Sequence, residues 1–193
     1  LDKTSLGESK VRIGVTGHRF LAEIDKLQAC LEEVLDRIEE RHPGRGLTVV
    51  SSLAEGSDRL VAQAAMQRSE AELIAVLPLP PGDYRRDFTS AASRAEFDSL
   101  LGKAAEVVVL PNATTRDQAY AHAGQYVADH ADVLIALWDG QGAQGSGGTA
   151  DIVHRALRRG IVVFHVLAGN RKPGTNEPTT LGEKQGRLIV HNT

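Results

Sequence analysis

The sequence predicts an α/β fold: a single domain built on a doubly wound, mainly parallel sheet with helices on both faces. Three observations predict it. Six short apolar runs alternate with longer segments of helical periodicity, the order in which a parallel sheet and its crossover helices are laid down. A length of 193 residues suits one sizeable domain, able to bury roughly 70% of the surface its unfolded chain exposes. Glycine-bearing polar loops follow three of the apolar runs, and in open sheets the strand-to-helix loops gather at the carboxyl ends of the strands.

The runs expected to be strands are Arg12–Thr16, Leu47–Ser51, Glu72–Leu77, Glu106–Leu110, Asp132–Leu137 and Ile161–Leu167. Between the first two, Ile24, Leu27, Leu31, Val34, Leu35 and Ile38 recur at helical spacing, with Glu32, Glu33, Asp36 and Glu39 on the opposite face. Tyr84, Arg85, Arg86 and Asp87 follow a proline-rich turn and fit either the start of a helix or a lid over the third strand's end. Asp151–Arg159 reads as a helix closed by Arg155, Arg158 and Arg159 and stopped by Gly160. The domain is expected to span 10–168. From Gly169 the chain turns polar, so 169–193 is expected to be a tail or linker with at most one short strand at Arg187–His191.

Composition narrows the function. Lys and Arg total 22 against 25 Asp and Glu, a net charge of -3, and no basic block is long enough to grip a duplex, so nucleic acid is disfavoured as a partner. One cysteine, Cys30, excludes an internal disulfide and sits on the apolar side of a helical pattern as a buried structural thiol. No segment approaches the roughly 18 apolar residues of a membrane span, and the start lacks the blocks of a signal peptide, which points to the cytoplasm. The chain begins at Leu1 rather than Met, as a processed form or a piece of a longer protein would. The seven histidines show no metal-ligand spacing, so no metal site is expected; Mg²⁺ would come only as the companion of a phosphate ligand.

The loops after the first, second and fifth runs carry the chemistry. Trp138–Asp151 holds five glycines between Gly140 and Gly148 and opens onto a helix, the arrangement in which backbone N–H groups close around an anion. The same glycines also suit a surface loop without a ligand. The first loop, Gly14–Arg19, is not G-x-G-x-x-G, and no acidic residue closes the second run where a ribose would be held, so hydride chemistry on a dinucleotide is weakly supported.

Val11–Arg19, Val49–Ala62, Ala131–Gly140 and Gly147–Thr149, taken in order, resemble the SLOG superfamily, the Rossmann-like domains that join the Smf/DprA proteins to the LOG ("lonely guy") phosphoribohydrolases. The resemblance covers roughly Val11 to Leu167. It implies a nucleotide or nucleotide-derived ligand over the strand ends, used catalytically in some members and sensed as a signal in others. On this reading Thr16, Gly17, Gly145, Ser146, Gly147, Gly148 and Thr149 offer donors to phosphate, and His18 or Arg19 adds charge. Glu55 and Asp58 accept from ribose hydroxyls or a base edge, and Ser52, Gly56 and Asp139 support the loops. Asp58 and Ser57 fit a helix cap equally well, and Arg19 a surface ion pair. Trp138 either stacks on a base or packs on the sheet.

Three functions stay open. LOG enzymes resemble P-G-G-x-G-T-x-x-E; Gly148–Thr149 match the G-T pair, but the Glu position falls on Ile152, which transfers no proton. The nearest carboxylate, Asp151, lies one residue early and suits the first turn of a helix as well as a ligand. An N-glycosidic hydrolase would therefore draw on Glu55, Asp58 or Asp151. Ser51–Asp58 is similar to the DprA pattern S-G-L-A-x-G-x-D, with Ser52 for its first glycine, but Ala123–Tyr126 replaces the basic patch that single-stranded DNA binding needs. The reading preferred from sequence is a nucleotide-binding sensor or recognition domain that regulates an attached or partner effector, with a homodimer suggested by analogy to related sheets.

Overall fold

In the computed structural model, which describes residues 10–111, 113–142 and 148–193, strands and helices alternate along the chain. They are β1 (Val11–Gly17), α1 (Ile24–Arg41), β2 (Leu47–Ser51), α2 (Ser57–Ala65), β3 (Glu72–Leu77), α3 (Pro81–Arg85), α4 (Ala91–Lys103), β4 (Glu106–Val109), α5 (Arg116–Asp129), β5 (Val133–Trp138), α6 (Thr149–Arg158), β6 (Val162–Leu167) and β7 (Leu188–His191). The strands form one sheet in the order β4-β3-β2-β1-β5-β6-β7. Every pair is parallel except β6 with β7. The fold is therefore α/β, Rossmann-like and doubly wound. The chain runs outward from β1 to β4 and then returns to the other side of β1 as β5, so the two flanking loops diverge and leave a crevice at the carboxyl ends of β1 and β5.

Strand periodicity divides the core into two layers. On β5, Val133, Ile135 and Leu137 enter one layer with the buried face of α1 (Leu27, Cys30, Leu31, Val34, Leu35 and Ile38), while Leu134, Ala136 and Trp138 enter the other beneath α6. The first layer also receives Tyr84, Phe88 and Phe97, whose rings meet edge-on or tilted at 5.0–5.6 Å and tie α3 and α4 to the sheet. Each fully buried side chain of this size contributes roughly 1.5–3 kcal/mol. The helical spacing placed α1 correctly apart from Ile24, which opens the helix and is 38% exposed. Cys30 is buried.

The segment 169–193 carries the strand expected near its end and is built into the domain. Register pairs from Val163 with His191 to Val166 with Leu188 add β7 antiparallel to the sheet edge. Gln185, 4% exposed, explains how so polar a segment is held. Its Oε1 accepts from Gly169 N–H at 2.9 Å and Leu181 N–H at 3.1 Å, and its Nε2 donates to the Ala22 carbonyl at 2.9 Å. No helix among the described residues is long and apolar enough to cross a membrane.

Candidate functional site

Two glycines allow the loops after β1 and β2 to lie against each other. A Cβ on Gly17 would fall 2.3 Å from Ser57 Oγ and 2.5 Å from the Leu137 carbonyl. Gly56 has φ +78°, and a Cβ there would fall 2.4 Å from the Arg19 carbonyl oxygen. The approach lets the Ser57 backbone N–H and hydroxyl both donate to the His18 carbonyl, at 3.1 and 2.8 Å. Ser57 is thereby spent on clasping the first loop rather than on capping α2.

The stretch Ser51–Asp58 is organised from within. Leu53 is fully buried in the left-handed region at φ 55°, and its N–H is held by Ser51 Oγ at 3.1 Å. Asp58 turns inward and accepts from Ala54 N–H at 3.3 Å, from the Ser52 backbone and from the Ser51 hydroxyl. Burial pushes its carboxyl up to about 6, against those hydrogen bonds and the nearby Arg59 charge. Asp58 is thus a loop fastener and does not line the crevice. Its neighbour Arg59, 2% exposed, donates from Nε to the Leu53 carbonyl at 3.0 Å and lies 4.3 Å over the Phe88 ring. One guanidinium nitrogen also donates to Ser93 Oγ at 2.9 Å and to Glu96 at 2.8 Å.

The third loop leaves β5 through a peptide held between two imidazoles. His165 Nε2 donates to the Trp138 carbonyl at 2.9 Å, and the next N–H, that of Asp139, donates to His18 Nε2 at 3.1 Å. These bonds assign the His18 proton to Nδ1 and make the ring neutral. Burial holds both imidazoles below their ordinary values and outweighs the opposing pull of Asp139 on His18. His18 therefore sets the direction of the third loop; Arg19, the other residue expected to bring charge, lines the crevice and pairs with Glu55 at 2.7 Å. Trp138 packs into the layer beneath α6, with its ring 5.0 Å from that of His165, and also borders the crevice these loops form.

These loops enclose a crevice of about 1040 Å³ at the carboxyl ends of the strands. Of the residues expected from sequence, Gly17, His18, Arg19, Glu55, Asp139, Gly148 and Thr149 line it. Thr16 is buried within β1 and paired in register with Ala136. Asp151 occupies the first turn of α6, partly exposed and off the lining. Ser52 and Gly56 are off the lining: the Ser52 backbone donates to Asp58, and Gly56 lies against the His18 and Arg19 carbonyls. Gly145, Ser146 and Gly147 lie outside the described residues. Helix α6 opens at Gly148, which as a glycine has no side chain to cap it, and its first residues, Gly148, Thr149 and Ala150, line the crevice.

The opposite wall is rich in acceptors. Glu55 accepts from Arg19 at 2.7 Å and from the Ser93 hydroxyl. Burial raises its carboxyl, but Ser93, Arg19 and the Arg59 charge outweigh that and leave it below its ordinary value, hence ionised at neutral pH. Glu96 is held by Arg59 and by Gln63 at 2.8 Å, and Asp87 by Tyr120 and by Arg116 at 3.0 Å. Each carboxylate is fixed in place with its charge paired. Among the described residues no group of three or more His, Cys, Asp or Glu is arranged to hold a metal ion.

Several lining residues carry no motif in the sequence. Ser93 and Glu96 come from α4, Asp87 from the turn after α3, and Asn170, Arg171 and Asn176 from the chain beyond β6. Of the Tyr84–Asp87 turn, Tyr84 lies in the short helix α3 with its ring in the core, as the helix reading expects, while Asp87 lines the crevice. A signal did exist for Asn170 and Arg171, since they fall within four residues of the end of β6, on the side where ligands collect.

No family model matches this chain, and no curated protein matches it significantly. The functional reading therefore stands on the crevice itself.

Proposed function

We propose that this domain binds a nucleotide or nucleotide derivative in the crevice between the loops of β1, β2 and β5 and the start of α6, as a sensor or recognition module of SLOG type. The observation that carries the reading is the division of the crevice into two walls. One offers the first-turn N–H groups of α6 and the hydroxyl of Thr149, the chemistry that holds phosphate. The other offers fixed acceptors, the ionised Glu55 foremost, which suit sugar hydroxyls or the donor edge of a base. The crevice volume of about 1040 Å³ suits a guest of nucleotide size or larger.

A second reading, cleavage of an N-glycosidic bond, draws support from Glu55 alone. Of the three carboxylates considered for that role, it is the one that lines the crevice. An ionised carboxylate there suits a base, or a group that stabilises a developing positive charge, rather than a proton donor. The SLOG resemblance and both activities are tested together by thermal-shift screening against ribonucleotides, followed by mass spectrometry of each hit. A ligand at about 100 times its Kd adds roughly 2.7 kcal/mol of stability, a rise of several degrees for a domain of this size. Intact recovery of the hit supports a sensor; recovery of free base establishes the hydrolase.

A further inference from the structure

The chain between β6 and β7 places a cation in the crevice whose charge no carboxylate answers among the described residues. Residues 170–179 fold back on themselves. Arg171 is bridged antiparallel to Pro178, the Lys172 N–H donates to the Glu177 carbonyl at 2.8 Å, and the Thr179 hydroxyl donates to the Asn170 carbonyl at 2.7 Å. Gln185 fixes the base of this arm to the loop before α1, as described above, so the arm has a set position relative to β1.

Arg171 is the residue that the arm presents. Its guanidinium lies 5.3 Å over the Phe20 ring, and one nitrogen donates to Asn176 Oδ1 at 3.1 Å. Both partners are crevice residues and neither carries charge. The crevice guanidinium of Arg19 pairs with Glu55, and Arg59 and Arg116 behind the wall pair with Glu96 and Asp87. Arg171 has no Asp or Glu oxygen within 4.0 Å among the described residues. A guanidinium braced on a ring and steered by an amide keeps most of its N–H fork for an oxyanion. Because β5 and β6 are neighbours, Arg171 and the start of α6 stand in adjacent loops on one side of the crevice. Two anion-seeking elements from adjacent loops suit two linked anionic groups better than one.

We propose that Arg171 is a specificity-determining residue that takes a second phosphate, so that the site selects nucleoside diphosphates, or ligands joined through a diphosphate, over nucleoside monophosphates. The nucleoside part rests on the nucleotide reading above; the preference for linked phosphates rests on Arg171 and α6.

The test is calorimetric titration of the chain with four ribonucleoside diphosphates (ADP, GDP, CDP and UDP), their monophosphates, inorganic pyrophosphate and inorganic phosphate. The variants are Arg171→Ala, Arg171→Lys and, as a charge control, the exposed Arg158→Ala at the far end of α6. The wild type should bind the best diphosphate, and pyrophosphate, about tenfold or more tightly than the corresponding monophosphate species, as one charge-assisted bidentate contact provides. Arg171→Ala should reduce that preference to within about threefold and leave monophosphate binding nearly unchanged. Arg171→Lys should keep part of the preference, and Arg158→Ala all of it. Nucleotides bound with equal preference by wild type and Arg171→Ala would overturn the role of Arg171 and leave the nucleotide reading standing. Pyrophosphate bound through Arg171, with nothing added by any nucleoside, would overturn the nucleotide reading and leave Arg171 as an anion site. Failure of both pyrophosphate and every nucleotide to bind the wild type would overturn both.

Discussion

His18 Nε2 accepts the backbone N–H of Asp139 at 3.1 Å, a contact between residues 121 apart in sequence that fastens the loop after β1 to the loop after β5. The peptide it holds is the one whose carbonyl side accepts from His165. The starting direction of the glycine-rich loop is therefore set by two neutral imidazoles.

Acid should loosen this arrangement. Both histidines have folded pKa values below 6.5, so between those values and 6.5 the unfolded chain binds more protons than the native one. Their contribution is complete above pH 6.5 and is lost as the pH falls through the lowered folded values. In thermal unfolding across pH 7.5 to 5, the wild type should lose stability relative to the double variant His18→Gln and His165→Gln as the pH falls below 6.5. An unchanged slope in the double variant would show that other groups set the pH dependence.

Asp58 should act in the opposite sense. Its carboxyl is raised from 3.8 to about 6, so the native state binds its proton more tightly than the unfolded chain, and its ionisation at pH 7 costs about 3 kcal/mol. That cost is relieved as the pH falls through 6 toward 3.8. Relative to Asp58→Asn, the wild type should therefore gain stability between pH 7 and 4.5 in denaturant titrations, and a constant difference between the two would contradict the inward, buried carboxyl.

The clasp between the first two loops depends on Gly56. Alanine there would meet the Arg19 carbonyl at 2.4 Å, from a φ of +78° that L-residues rarely adopt. Gly56→Ala should cost about 3 kcal/mol or more and lower Tm by several degrees. A variant melting within about 1 °C of wild type would show that the loops do not lie this close.

Glu55→Gln separates the two functional readings. In a sensor it should weaken a ribonucleotide by about tenfold and level any preference over the 2′-deoxy form, while leaving binding measurable. In a hydrolase it should cut the release of free base by about a hundredfold or more with a smaller change in KM. Paired titrations and product assays on the same sample read both effects.

The fold was legible because each strand is a short apolar run and each helix a periodic one, so the parallel strands fall within a residue or two of the expected runs. The site was legible only where it obeys the strand-end rule, as with Gly17, Glu55 and Gly148–Thr149. Asp58 matched a motif, but its carboxylate faces the loop's own backbone, which a linear pattern does not distinguish from facing a ligand. The arm beyond β6 was hidden for a different reason. Its polar composition resembles a tail, and what folds it inward is one buried amide, Gln185, bonded to the Ala22 carbonyl 163 residues away. Ser93, Glu96 and Asp87 likewise reach the crevice through tertiary packing of α3 and α4 rather than through local sequence.

The central claim, that phosphate binds at the start of α6 within this crevice, is tested most directly by Thr149→Glu. Glutamate in a first helical turn is compatible with the helix dipole, so the fold should persist, while its carboxylate would repel an anion held there. Isothermal titration with the best nucleotide from the panel should give a saturable curve for wild type and a loss of about tenfold or more in affinity for Thr149→Glu at unchanged Tm. Equal binding by both proteins, or no nucleotide bound by the wild type at millimolar concentration, would contradict the account.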